Sequence, residues 1–66
     1  MKNLSDKQQL IYDQIRSLKE KYPMVNPTAI QLAKLFNMSK QAMNGHLMNM
    51  EIKGYIKRQR GVEITK

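Results

Sequence analysis

The chain contains no cysteine. Disulfides and thiolate metal sites are therefore excluded as staples, and this usage is the one expected of a reducing cytoplasm. No apolar run approaches the roughly 18 residues of a membrane span, and the start lacks the basic-then-apolar pattern of a signal peptide. One histidine and five acidic residues leave few ways to build a protected catalytic cleft, so an enzyme is not expected. Nor is a metal, a cofactor or a small-molecule ligand. What the chain has in excess is positive charge. Twelve Lys+Arg against five Asp+Glu give a formal charge of +7 and an isoelectric point near 10.0. With 41% hydrophobic residues, the 66 residues have material for one small folded domain. A chain of this size hides only about 60% of its unfolded surface, so its stability margin is thin. The surface it presents attracts polyanions.

The first helix is predicted over about 6–21. Ser5 and Gln8 have capping-box spacing, and Asp6 suits the positive first turn. Ile11, Ile15, Leu18 and Tyr22 then recur at helical period, with Leu10 and Tyr12 widening the stripe. Tyr22-Pro23 ends the element, because proline disfavours helical geometry in the residue before it. An apolar extended linker, 23–27, follows. Thr28 and Gln31 repeat the capping-box spacing and open a helix over about 29–36, with Ala29, Leu32, Ala33 and either Phe36 or Leu35 inward. Asn26 as cap with Pro27 at the first helical position is the competing boundary.

Asn37 interrupts, being the residue best able, after glycine, to take a left-handed conformation. Ser39 caps a third helix, over about 40–53, with Ala42, Met43, Leu47 and Met50 on one face. Gly54 closes it, and Lys53 suits its negative end. The period then changes. Tyr55 to Arg58 and Val62 to Thr65 are β-prone runs around Gln59-Arg60-Gly61, a three-residue hairpin loop ending in glycine. The wing is placed at 55–65.

Two short helices joined by Asn37-Met38-Ser39 have helix-turn-helix spacing, with Met38 filling the angle between them. Many such corners bind nothing. Here the second helix of the pair runs directly into a basic hairpin. The expected fold is mainly α with a small β-hairpin, a winged helix-turn-helix of three helices plus a two-stranded wing.

Residues 2–16, in particular Leu4, Gln8, Gln9, Asp13, Ile15 and Arg16, resemble the opening of the DNA-binding domain of the LexA repressors. Pro27-Thr28, Leu32-Ala33, His46-Leu47 and Lys53-Gly54-Tyr55-Ile56 continue the match. The stretch from His46 to Ile56 is also similar to winged-helix regulators of the MarR kind. The resemblance covers nearly the whole chain and implies a DNA-binding transcription regulator, bacterial or phage. The departures are specific. LexA repressors carry a second, self-cleaving domain with a serine–lysine dyad, whereas this sequence stops after the wing and is expected to inherit neither autoproteolysis nor that domain's dimer interface. The turn before the third helix is one residue shorter. Gln41, Asn44 and Gly45 stand where the best-known member has an asparagine and two glutamates for reading bases, so its operator does not carry over.

The third helix also suggests a binding face on its own physics. With Met43, Leu47 and Met50 inward, Lys40, Gln41, Asn44, Gly45 and Met48 project from the other side. Gln and Asn each pair bidentately with an adenine edge, and Lys favours guanine or phosphate; the alternative is an ordinary polar helix face. A mid-helix glycine costs about 1 kcal/mol relative to alanine, so Gly45 points to a close approach of the backbone to something. Close packing of another helix and simple drift are the competing explanations. Met48 either touches a thymine methyl or is just an exposed methionine. His46 lacks a second histidine or cysteine to complete a metal site, which leaves packing or a phosphate contact.

In the wing, Lys57, Arg58 and Arg60 suit phosphates, or a narrow minor groove for an arginine. A charged solvated hairpin is the alternative, more so for Lys57 than for Arg60 at the tip. Ser39 and Thr28, at two helix N-termini, can offer backbone N–H groups to phosphate. Lys2 and Lys66 read as solvated termini, and Arg16, Lys19 and Lys21 with Asp13 and Glu20 as a solvated face.

The leading function is therefore a sequence-specific regulator binding double-stranded DNA, a repressor in the cytoplasm, since repression needs only occupancy of a site. One copy covers one half-site, so a weak or DNA-induced homodimer is the expected state. Ile30, Met24, Val25 and Ile52 are apolar candidates for its contact, or else core. No membrane partner is expected. The alternative is a small winged-helix interaction module acting as adaptor, antirepressor or inhibitor of a nucleic-acid enzyme.

Overall fold

The computed structural model describes residues 3–65; Lys2 and Lys66 lie outside them. Three helices precede a two-stranded antiparallel sheet: α1 Asp6–Lys21, α2 Ala29–Leu35, α3 Lys40–Ile52, β1 Ile56–Arg58 and β2 Val62–Ile64. This is the winged helix-turn-helix arrangement that the periodicity predicts.

Local chemistry sets each boundary. Ser5 and Gln8 close a reciprocal capping box on α1, and Thr28 and Gln31 close a second on α2. Each cap satisfies N–H groups that a helix start leaves open, worth about 1 kcal/mol. Thr28, not Asn26, is thus the cap of α2. Both helix-turn-helix helices end in the same way. Asn37 (φ 53°) and Gly54 (φ 85°) sit just beyond the caps of α2 and α3 in the left-handed region. The amide of Met38 returns to the carbonyl of Ala33 at 2.8 Å, and that of Tyr55 to Met50 at 3.0 Å. These are Schellman closures, which use up terminal carbonyls and turn the chain sharply. The first lays α3 across α2; the second sends the chain into the wing.

Ile11, Ile15, Leu32, Met43, Leu47 and Met50 are fully buried, and Ile56 and Val62 of the wing close the same core. The buried arc of α1 is skewed toward one side of the expected stripe. Gln8 and Tyr12 are buried while Leu10 is exposed, since Leu10 lies on the opposite flank of Ile11 and Ile15. Tyr12 meets Tyr55 edge to face at 5.6 Å. Tyr22 has already left helical geometry (φ −133°, ψ 76°) and is exposed, not core. On α2, Phe36 is half-buried against the core and Leu35 is the exposed one. Ala42 is exposed rather than inward, because it lies about a quarter turn from the axis through Met43, Leu47 and Met50. Ile30, Met24, Val25 and Ile52 are all exposed.

The linker does more than connect. The amide of Val62 donates to the carbonyl of Pro27 at 2.8 Å, so the linker backbone lies alongside β2. Asn26 bridges, its Nδ2 donating to Glu63 Oε1 at 3.2 Å and its Oδ1 accepting from Lys19 Nζ. Lys19 is therefore a tie between α1, the linker and the wing rather than a solvated charge.

Candidate nucleic-acid interface

The back of α3 is anchored and its front is open. Met43, Leu47 and Met50 are fully buried, while Gln41, Gly45, Met48 and Ile52 are exposed. These last four recur at steps of four, three and four residues, which places them in one stripe along the helix. Ile52 was not expected in it. Lys40 is exposed in the first turn, and Asn44 is half-buried on the flank of the stripe rather than fully projecting. A Cβ built on Gly45 would meet nothing within 4 Å. No neighbouring helix explains that glycine, which removes the close-packing alternative.

Ser39 Oγ accepts the amide of Ala42 at 3.1 Å. The two preceding N–H groups of the first turn, those of Lys40 and Gln41, have no acceptor within a regular helix and point where an anion is favoured. Thr28 is more fully occupied by its own cap: its N–H donates to Gln31 Oε1 at 3.0 Å, and its Oγ1 accepts from Gln31 N at 3.2 Å. Thr28 shares a notch of about 220 Å³ with Arg58, Gln59 and Gly61, a grouping that does not include the α3 stripe.

In the wing, Lys57 and Arg60 are exposed. The register pairs Lys57 with Glu63 and Arg58 with Val62. Arg58 is not the free cation expected from sequence. Its Nε lies 3.4 Å from Glu51 Oε1 and its backbone N–H donates to Glu51 Oε2 at 3.2 Å. Glu51, on the Asn44 side of α3, thus holds β1 against the helix. At this partial exposure such a pair contributes about 0–1 kcal/mol to stability; its value is positional. Glu51 and Asn26 are the site-shaping residues that sequence reasoning missed. The one signal for Glu51 was its isolation, as the lone acid among six basic residues from Lys34 to Arg60. His46 is half-buried at the edge of the core face.

The resulting surface is positive with few offsets. α2 and α3 up to Met50 contain no acid, whereas three of the five acids lie in α1. A helix buried along its back, with Gln41, Gly45, Met48 and Ile52 exposed on its front and a basic ribbon beside it, is the arrangement of a winged helix-turn-helix domain. The LexA DNA binding domain family matches residues 1–63, and the chain belongs to that family. No curated protein matches the chain. The family assignment makes this a DNA-binding domain of transcription regulation. No helix among the described residues is long and apolar enough to cross a membrane.

Proposed function

We infer that the protein is a sequence-specific repressor that occupies an operator with α3 in the major groove and the wing along the backbone. The observation that carries this reading is the division of α3: one side fully buried, the opposite side an exposed stripe through Gln41, Gly45 and Met48. A helix fixed along its back loses little freedom when its front enters a groove, which keeps the ordering cost of binding low.

Gln41 is assigned to a base edge, where its amide can both donate and accept toward adenine. Asn44, on the flank, reaches either the neighbouring base or the sugar-phosphate edge. Met48 offers apolar contact to a thymine methyl, and Ile52 extends that contact along the stripe. Gly45 lets the helix backbone approach. Ser39 and Lys40 present N–H groups and a cation to phosphate, and Thr28 does so at the start of α2. Lys57 and Arg60 neutralise backbone phosphates, each contact adding about −0.9 to the slope of log K against log salt, while Arg58 beside them is held by Glu51. One copy covers one half-site, so two copies on a palindrome, pairing weakly or on the DNA alone, give tight occupancy. No cofactor, metal, small ligand or membrane enters the reading, and the site of action is the cytoplasm.

Selection of bound duplexes from a random pool at near-physiological salt tests it. A recurrent motif with dyad symmetry is the expected result. Recovery of unselected duplex, bound in proportion to length, would reduce the protein to a general polyanion binder.

A further inference from the structure

Part of the apolar surface left uncovered by the fold, Tyr22, Val25 and Leu35, is gathered into one groove. Leu18 and Tyr22 from α1, Val25 and Pro27 from the linker, and Lys34 and Leu35 from α2 line a groove of about 490 Å³. Tyr22 and Leu35 are each 57% exposed and Val25 is 52% exposed. None of the residues assigned above to DNA lines it. On α2, Gln31, Lys34 and Leu35 stand at i, i+3 and i+4 and all line the groove, so an exposed lysine lies beside Leu35. Glu20, the acid nearest in sequence, lies two residues from both Leu18 and Tyr22 and faces another side of α1. The groove is apolar, with one cation, Lys34, in its lining.

We propose that this groove docks a short amphipathic segment of a partner protein whose apolar side chains are flanked by carboxylates. The concave shape takes the projecting side chains of a helix at i, i+3 or i+4 and i+7 spacing, the helix-in-groove mode of recognition. Lys34 in the lining, on a chain of net charge +7, selects the acidic flanks. A second copy of this chain is the wrong occupant. A two-fold contact across the groove would set Lys34 against its own counterpart. A duplex is wrong too, because apolar walls offer phosphates nothing. The proposal does not depend on which bases α3 reads. It allows the chain to hold a partner while its α3 stripe is occupied.

The probe is a synthetic end-blocked helical peptide with leucines at i, i+3 and i+7 and glutamates on its flanks, titrated into the isotopically labelled full chain and followed by amide NMR. Saturable shifts centred on Leu18, Val25, Lys34 and Leu35 are expected. The same peptide with lysine for every glutamate should bind at least about tenfold more weakly, because like charges then face each other across the contact. Leu35→Ser should weaken the acidic peptide by a similar factor while leaving the circular dichroism and the duplex affinity unchanged. Lys34→Glu should narrow or reverse the preference between the two peptides. Shifts centred on Gln41, Gly45 and Lys57 would show only polyanion competition and overturn the proposal. So would equal binding of both peptides. Sedimentation of the free chain as a dimer that Leu35→Ser dissolves would assign the groove to a second copy instead, and groove shifts with anionic vesicles but not with the peptide would assign it to a membrane surface.

Discussion

Gly61 rests on Asn26. A Cβ at Gly61 would lie 2.7 Å from the Asn26 carbonyl oxygen and 2.8 Å from its Cβ, and Gly61 itself has φ 89°. The following amide, of Val62, donates to the Pro27 carbonyl. The wing is therefore seated on the linker by backbone contact at its loop, and its angle to α3 is set there as well as by the pair between Glu51 and Arg58.

Gly61→Ala should accordingly cost stability through two separate effects. The left-handed conformation opposes a side chain, and the methyl meets backbone that cannot swing away. Each effect has a cost on the order of 1 kcal/mol or more, so a loss of about 2–3 kcal/mol is expected. For a domain of this size, that lowers Tm by roughly 10 °C or more. Thermal unfolding followed by circular dichroism measures it. A variant that melts with the parent would mean the wing does not sit on the linker.

Glu51→Gln separates two views of Arg58. If Arg58 is held back from phosphate by the carboxylate, removing that charge frees the guanidinium and removes a repulsive charge from the DNA-facing side. Affinity should rise, and the salt slope should steepen by about 0.9, one phosphate contact. The glutamine oxygen can still accept the Arg58 amide, so the fold should lose at most about 1 kcal/mol. Fluorescence anisotropy on one duplex at several salt concentrations decides the matter. Weaker binding with an unchanged slope would make Arg58 a strut that never reaches phosphate.

Arg60, at the wing tip and exposed, gives the opposite sign. Arg60→Ala should flatten the salt slope by about 0.9 and weaken binding to all duplexes alike. A loss confined to A·T-rich flanks would instead place the guanidinium in a narrow minor groove.

The secondary structure was legible in the sequence because its signals are local. Ser5 with Gln8, Thr28 with Gln31, Ser39, Asn37, Gly54 and Gly61 each act within a few residues, and each appears in the structure as a cap, a closure or a turn. The core was legible to the resolution of a helical face and no finer. Gln8 is buried while Leu10 and Ala42 are not, since the buried arc depends on where a neighbouring element stands. What could not be read was pairing over distance. Glu51 with Arg58, Asn26 with Glu63 and Lys19, and Val62 with Pro27 join segments whose proximity is a product of the finished fold. Of the stripe on α3, Gln41, Gly45 and Met48 followed from period, whereas Ile52 joins it and Asn44 lies on its flank. Its occupancy by Gln41 and Asn44 is a statement about chemistry that binding must decide.

Gln41→Ala and Asn44→Ala address that chemistry. Each should reduce discrimination between the selected site and single-base variants by about 1–3 kcal/mol per lost bidentate contact. The effect should fall on one base position for Gln41. Asn44, half-buried on the flank, should lose less specificity and more general affinity. Competition binding against a panel of single-base substitutions reads both. An unchanged site preference in both variants would move the reading face elsewhere.

Gly45→Ala gives stability and binding opposite signs, which makes it the sharpest test of the stripe. Beyond its own helix backbone, nothing among the described residues lies within 4 Å of the added Cβ, so the methyl costs no packing. The free fold should gain about 1 kcal/mol from the removal of a mid-helix glycine, raising Tm by roughly 4–8 °C. If the α3 backbone approaches a base edge at this point, the same methyl intrudes into the contact and affinity for the selected duplex falls while the salt slope stays as it was. A thermal melt and a salt-resolved titration of one purified variant give both readings. Stabilisation without loss of affinity would mean that the groove of the duplex never comes close to Gly45, and the helix would have to enter with a different edge.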